Sequence, residues 1–280
     1  MESFVPRLPP LISFGFGGDG WGGYTNASEE RHMHQAAKCI ANSPGLICLQ
    51  VVRDLIANPS AVTSLHFLFK DINATKAPPL KLTTLFLNGL YVRLDVTIIP
   101  HLKNLKSLEI WNVRHPEREL EDSLPGTNVP SLEYAASFSE FWKALKSSGI
   151  TLSYLVIAST FISDTFAEYI TSYSGLKDLT IKGLHPDASR ANESQAGAFW
   201  DGLASHHGVS LLRLTVYPWY EGSWCFSQER ATSLGGCRNL KTLNVAIATA
   251  QLESQNGESR YPLPPQWDVG QSVVRLGTSV

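Results

Sequence analysis

The feature that most constrains this chain is a recurring triple, apolar-x-x-Leu-x-apolar, seen in "LKNLKSLEIWNV" as Leu105, Leu108 and Ile110. At 43% hydrophobic composition, three chosen positions are all apolar by chance in roughly 8% of cases, so a single triple carries no weight. The pattern, however, occurs nine times, and its central residue is leucine every time. The triples are Leu46, Leu49, Val51; Val62, Leu65, Phe67; Leu82, Leu85, Leu87; Leu105, Leu108, Ile110; Val129, Leu132, Tyr134; Leu152, Leu155, Ile157; Leu176, Leu179, Ile181; Leu211, Leu214, Val216; and Leu240, Leu243, Val245.

The spacing of these triples indicates a repeat. From Val62 onward, successive triples start 20, 23, 24, 23 and 24 residues apart, and the last two intervals are 35 and 29 residues. Leucine-rich repeats have a period of roughly 20–29 residues. Residues around each Leu-x-apolar core alternate between apolar and polar, which is typical of a short strand with one buried face.

Helical patterns lie between several of the predicted strands. "SFSEFWKALKSS" places Phe138, Phe141, Trp142 and Leu145 at helical spacing. Two further segments follow the same scheme, through Phe166, Tyr169, Ile170 and through Phe199, Trp200, Leu203. A strand-helix unit of this size buries its apolar faces only against neighbouring units, so we expect the units to stack.

The sequence therefore predicts an α/β leucine-rich repeat solenoid, a horseshoe with short parallel strands on the concave face and helices on the convex face. We assign residues 1–27 to a flexible Gly/Pro-rich arm, 28–250 to the solenoid and 251–280 to a polar tail or weak cap. Many leucine-rich repeats place Asn or Cys three residues after the last apolar strand position. Other residues stand there in this chain, so we expect irregular repeats; they include Leu90, Val113, Thr160, Leu184 and Trp219.

Together with their pitch, the triples and the phrases "NSPGLICLQV" and "GCRNLKTLNV" resemble the leucine-rich regions of fungal F-box-type proteins over about residues 30–250. This resemblance implies a substrate-recognition subunit of a ubiquitin ligase, with a ligase adaptor as an additional partner. An F-box typically opens with Leu-Pro followed by helices. Here Leu8 and Pro9 lead into "GFGGDGWGG", so we expect the F-box to be absent.

The composition limits the classes of partner that we expect. The net charge of −2, from 23 basic and 25 acidic residues, predicts no binding of nucleic acid or of an anionic membrane. No apolar run approaches the roughly 18 residues of a membrane helix, and the N-terminus lacks the apolar core of a signal peptide. We therefore expect a cytoplasmic or nuclear protein whose four cysteines are buried free thiols.

Two motifs suggest other chemistry. Gly15, Gly17 and Gly20 form GxGxxG, a motif of dinucleotide-binding loops that must be followed by a helix. The next residues, "WGGY", are unfavourable for a helix, so we favour a flexible arm. An enzyme built around this arm is one alternative to the binding function. The pairs His32/His34 and His206/His207 are interpreted as surface histidines, because no carboxylates or further histidines accompany them at metal-site spacing. We predict no metal, no cofactor and no catalytic residues.

The polar positions beside the leucines would line the concave face. Exposed aromatic side chains among mixed charges are typical of a protein-binding surface. We therefore predict a non-catalytic protein-binding module, and a stand-alone scaffold or inhibitor without a ligase role is the other alternative. The candidate contact residues are His66, Phe86, Asn88, Glu109, Trp111, Glu133, Tyr154, Asp178, Lys182, Arg213 and Tyr217.

Overall fold

The computed structural model describes residues 11–16, 26–53, 65–74, 78–88, 97–113, 131–159, 164–184, 191–218 and 222–247. The chain divides into two compact units, Met1–Leu152 and Ser153–Val280. Each unit contributes four parallel strands that follow one another in chain order and alternate with helices. The fold is therefore α/β with parallel strands. No helix in the described part of the chain has the length and apolar character needed to span a membrane.

The first unit contains four strands and four helices within its described residues: β1 (Leu11–Phe16), α1 (Asn26–Ala41), β2 (Cys48–Arg53), α2 (Leu65–Ala74), β3 (Thr84–Asn88), α3 (Ile99–Leu102), β4 (Ser107–Val113) and α4 (Ser131–Ser147). The second unit contains, over its described ranges, β5 (Tyr154–Ser159), α5 (Asp164–Ile170), β6 (Asp178–Leu184), α6 (Ala191–His207), β7 (Arg213–Pro218), α7 (Gln228–Leu234) and β8 (Thr242–Val245).

The central leucines of seven triples occupy equivalent positions in the strands. In the first unit Leu49 pairs with Leu85, and Leu85 with Leu108. In the second unit the same register joins four central residues: Leu155, Leu179, Leu214 and Leu243. All seven are buried, as are the apolar residues two positions later. These residues form the core side of each set of strands, as the alternating pattern predicts.

Five of the described strands begin with the same backbone hydrogen-bond arrangement. In the first unit, the carbonyl oxygen of Ile47 accepts hydrogen bonds from the backbone N–H groups of Thr83 and Thr84. Across the described strands, four more carbonyls just before or at a strand start also accept two N–H groups each: those of Thr83, Ser153, Lys177 and Leu212. We call these five arrangements the shared-carbonyl joints. They align the start of each strand with the start of its neighbour.

The helices bury the aromatic residues that the helical spacing singled out. In the second unit, Phe166 of α5 and Phe199 of α6 are fully buried, with ring centroids 6.3 Å apart. Trp200 and Leu203 of α6 are likewise fully buried. In the first unit Phe141, Trp142 and Leu145 form the buried stripe of α4. The predicted helical segments are confirmed.

Two of the nine triples are not strands. Leu65 and Phe67 lie in α2, where Leu65, Leu68, Phe69 and Ile72 are buried at helical spacing. Leu65 and Phe67 fit the Leu-x-apolar part of the strand template, but Leu65, Leu68, Phe69 and Ile72 follow the i, i+3, i+4, i+7 spacing of a helix. Leu132 and Tyr134 likewise lie in α4, and Val62 and Val129 fall outside the described residues. His66 and Glu133 are therefore helical residues, and their assignment to a strand face is wrong.

Removing these two triples changes the spacing. The starts of the remaining seven lie 36, 23, 47, 24, 35 and 29 residues apart, so the pitch of about 23 residues is not uniform along the chain. Within the predicted N-terminal arm, 1–27, Leu11–Phe16 form β1 and pair in parallel with β2, and residues 26 and 27 begin α1. The remainder of the arm up to residue 25 and the predicted tail, 251–280, lie outside the described residues.

The four cysteines are free thiols, as predicted. Cys225 and Cys237 are buried, whereas Cys48 is half-buried and Cys39 is exposed, so burial was wrongly expected for Cys39. Burial raises the pKa of the Cys48 and Cys237 thiols, which keeps them protonated and poorly nucleophilic near neutral pH.

Candidate functional site

Each set of strands has one face packed with leucines and one face of mixed character. The second face consists of the alternate strand residues, and we call it the open strand face. In the first unit it includes Cys48, Gln50, Val52, Thr84, Phe86, Asn88, Ser107, Glu109 and Trp111. In the second unit it comprises Tyr154, Val156, Ala158, Asp178, Thr180, Lys182, Arg213, Thr215, Tyr217, Thr242 and Asn244.

In the first unit the parallel register gathers these residues into rows. Phe86 is paired with Glu109, and Asn88 is paired with Trp111 on the same two strands. All four side chains are half-buried, in contrast to the buried leucines between them. The indole Nε1–H of Trp111 donates to Oε2 of Glu109 over 3.2 Å, which orients the ring beside the carboxylate.

The second unit carries the more strongly charged rows. Tyr154, Asp178, Arg213 and Thr242 occupy one row across four strands. Arg213 Nε donates to Oδ2 of Asp178 over 2.5 Å, and the Asp178 side chain is only 11% exposed. Burial of a carboxylate requires such a partner, so Arg213 neutralises Asp178 while its own side chain stays 63% exposed.

A groove of about 470 Å³ lies where these four strands begin. Its lining is made by pairs of consecutive residues at each strand start: Ser153 and Tyr154, Lys177 and Asp178, Leu212 and Arg213, and Lys241 and Thr242. The shared-carbonyl joints of the second unit run through the same residues, which places them at one level. Lys177 and Lys241 are both exposed.

The strands of the second unit hold an excess of positive charge. Together with the residue just before each strand, they contain Lys177, Lys182, Arg213 and Lys241 but only one acidic residue, Asp178. The corresponding charge is +3, although the whole chain has a net charge of −2. Three of these four cations, Lys177, Arg213 and Lys241, line the groove.

The structure places nine of the eleven predicted contact residues at alternate strand positions of the open strand face, and puts His66 and Glu133 in helices. It brings Tyr154, Asp178 and Arg213 into one row, and pairs Lys182 with Tyr217. Sequence reasoning missed further residues of this face and groove, which include Gln50, Ser153, Lys177, Thr180, Leu212, Thr215, Lys241, Thr242 and Asn244. Alternation could have identified Thr180 and Thr215, whereas nothing in the pattern marks the lysines that precede the strands.

Two buried histidines have structural roles. His207, at the end of α6, is fully buried. Its Nδ1 accepts from the Leu176 N–H over 3.3 Å, so its Nε2–H donates to the Ile170 carbonyl over 2.8 Å. His101, in α3, accepts from the Leu80 N–H at Nδ1 and donates from Nε2 to Asn73 Oδ1. Each lies four residues before the first leucine of a triple, so the two histidines occupy equivalent sequence positions.

The surface interpretation of the histidine pairs is thus wrong for His207, which the fold buries, and also for His34. His34 is half-buried, and Lys70 Nζ donates to its Nδ1 over 2.9 Å. His32 and His206 are exposed, as predicted. Within the residues that the structure describes, no three His, Cys, Asp or Glu side chains come together as metal ligands would. Gly15 lies in β1, and Gly17 and Gly20 of the glycine motif are outside the described residues.

We expect the two buried histidines to make the fold sensitive to acid. Burial lowers the pKa of both imidazoles below 6.5, an effect that the bond to the Ile170 carbonyl partly opposes in His207. Below pH 6.5 the unfolded chain therefore binds more protons than the folded chain, and the free energy of unfolding decreases as the pH falls. The slope is about 1.4 kcal/mol per pH unit for each additional proton bound.

Urea unfolding at about pH 7.5 and about pH 5.5 measures this effect. The contribution of these histidines is complete above pH 6.5 and is lost as the pH falls through their folded-state pKa values. We expect a clearly lower unfolding midpoint at the acidic pH. An unchanged or higher midpoint would show that neither imidazole is held neutral by the fold.

No protein-family model, curated protein or solved structure matches this chain.

Proposed function

We propose that this protein is a non-catalytic binding module that holds a protein partner on its open strand face. The observation that carries the proposal is the register of the strands, which sets half-buried aromatic side chains beside charged ones in continuous rows. Trp111 beside Glu109 and Tyr217 beside Lys182 are the leading examples. Aromatic anchors with a polar rim are typical of protein-binding surfaces.

We further propose that the fold is a leucine-rich repeat solenoid with the open strand face on its concave side and the helices on its convex side. The equivalent central leucines and the shared-carbonyl joints support a repeated unit. The resemblance to fungal F-box-type proteins favours substrate recognition for a ubiquitin ligase, in the cytoplasm or nucleus. A stand-alone scaffold or inhibitor would use the same face without a ligase adaptor.

The absence of catalysis is part of this proposal. A histidine that acts as a general base needs a ring nitrogen free to take a proton from a substrate. Both nitrogens of His101 and of His207 are already engaged within the fold, and both imidazoles are buried. These two histidines are thus structural, and the open strand face supplies contacts rather than reacting groups.

Affinity capture of the tagged chain from its own cell lysate, followed by mass spectrometry, tests the proposal. We expect the double variant Trp111→Ala with Tyr154→Ala to reduce recovery of the specific partner at least about tenfold, because loss of a central aromatic contact costs about 2 kcal/mol or more. The matched control is Val209→Ala, which shortens an apolar side chain that is 74% exposed and lies outside the strands.

The identity of the captured proteins also distinguishes a ligase substrate receptor from a stand-alone binding module. A ligase adaptor and cullin among them would support a substrate receptor, and reproducible partners without the adaptor would favour a stand-alone module. If the double variant remains folded by circular dichroism and retains every partner, binding through this face is excluded.

A further inference from the structure

We propose that the groove at the start of β5 to β8 takes an acidic segment of the partner, with carboxylates held by Lys177, Arg213 and Lys241. This inference rests on the proposed function, because it specifies the partner of the same strand face. All three cations line the groove, and they come from three successive strand starts.

The spacing of the cations suits an extended peptide. Lys177 and Lys241 occupy equivalent positions before β6 and β8, on either side of Leu212 before β7. Neighbouring strands lie about 4.8 Å apart, so these two chain positions are separated by about 10 Å. An extended chain covers that distance in about three residues, and one peptide can therefore present a carboxylate to each lysine.

The single acidic residue in the groove does not oppose such a ligand. Asp178 is largely buried, and its carboxylate accepts the Nε–H of Arg213. The paired Asp178 and Arg213 leave Lys177 and Lys241 as the excess charge of the groove lining. The two exposed lysines line the groove together with the half-buried Leu212 and Tyr154, and they attract carboxylates without requiring deep burial of charge.

The net charge of the whole chain favours a peptide over a nucleic acid as the ligand of the groove. Nucleic-acid-binding domains are usually strongly basic, whereas this chain has a net charge of −2 and a pI of about 6.4. A local excess of +2 in the groove lining, from Lys177, Arg213 and Lys241 against Asp178, favours an acidic segment of a protein.

Selection from a phage-displayed library of random peptides, with the full chain as bait, tests the inference. We expect the selected peptides to be enriched in Asp and Glu, and their binding to weaken with added salt. The variant Lys177→Glu with Lys241→Glu should bind these peptides at least about tenfold more weakly and should instead select peptides rich in Lys and Arg. Arg213 is left unchanged, because its removal would leave Asp178 buried without a partner.

The control is Lys38→Glu with Lys103→Glu, which makes the same change in net charge at two exposed lysines of the first unit that do not line the groove, and it should retain the acidic peptides. Three outcomes would overturn the inference: no peptide enriched, selected peptides without acidic residues, or a single-stranded DNA oligonucleotide bound in preference and lost in the groove variant. Each can occur while partner capture still depends on Trp111 and Tyr154, so failure here is distinct from failure of the proposed function.

Discussion

Replacing His207 by alanine is expected to lower the free energy of unfolding by about 3 kcal/mol. The imidazole is fully buried and connects the Leu176 N–H to the Ile170 carbonyl, and its ring also packs against Tyr173 with centroids 5.1 Å apart. Alanine would leave a buried donor and a buried acceptor unsatisfied and would open a cavity, and each of these effects is destabilising. Urea unfolding at neutral pH measures the loss.

His206→Ala is the matched control, since the neighbouring ring is exposed and the sequence change is the same. Surface substitutions of this kind usually change stability by less than about 0.5 kcal/mol. If the two variants unfold at the same urea concentration, His207 does not join α6 to the loop before β6 in the way described.

Leu179→Ala should be equally damaging, at about 3 kcal/mol, because this central leucine of β6 is fully buried between Leu155 and Leu214. The adjacent substitution Thr180→Ala, on the open strand face, should cost less than about 1 kcal/mol. Thermal or urea unfolding of the two variants compares the two faces of one strand directly.

This comparison is decisive for the orientation of the strands, since a register slip of one residue would exchange their faces. A larger loss for Thr180→Ala than for Leu179→Ala would mean that the leucines do not form the core. The same pair also controls the binding experiments, because Thr180 can be changed there without loss of fold.

The strands of this protein were largely predictable because their signal is local. The central leucine lies in a strand and is buried in seven of the nine predicted triples, with Leu85 and Leu214 as examples, whereas the other two triples lie in helices. The apolar stripes of the later helices were predictable for the same reason. Each stripe is a local group of residues at helical spacing, which includes Phe166 in α5 and Phe199 in α6.

The two triples that were wrongly predicted as strands lie in helices whose sequence also fits the strand pattern. In α2, Leu65 and Leu68 begin a helical stripe that Phe69 and Ile72 continue. A window of six residues cannot distinguish this stripe from a strand, whereas a window of eight includes Ile72 and favours the helix. β1 was missed for a different reason, because "LISFGF" lacks the leucine pattern and its pairing with β2 is a tertiary contact.

The sequence pattern predicted which residues lie on the open strand face, but it did not predict the ion pair or the lysines of the groove. Asp178 and Arg213 were both expected on one strand face, since each precedes a central leucine by one residue. Their ion pair depends on the register between β6 and β7, which the sequence does not display. The groove depends on Lys177 and Lys241, which precede their strands and carry no periodic signal.

The shared-carbonyl joints have a consequence for how this chain tolerates insertions. Each joint aligns two strands where they begin, so the distance between central leucines can vary, as it does from 24 to 35 to 29 residues along β5 to β8, while the register is kept. For a flexible loop, doubling its length costs only about 0.6 kcal/mol. New segments can thus be added after the carboxyl end of a strand with little penalty, whereas a single residue inserted between a joint and its leucine would turn that strand over. The starts of the strands therefore set the register of this fold, and the segments after the strands are where it can acquire new surface.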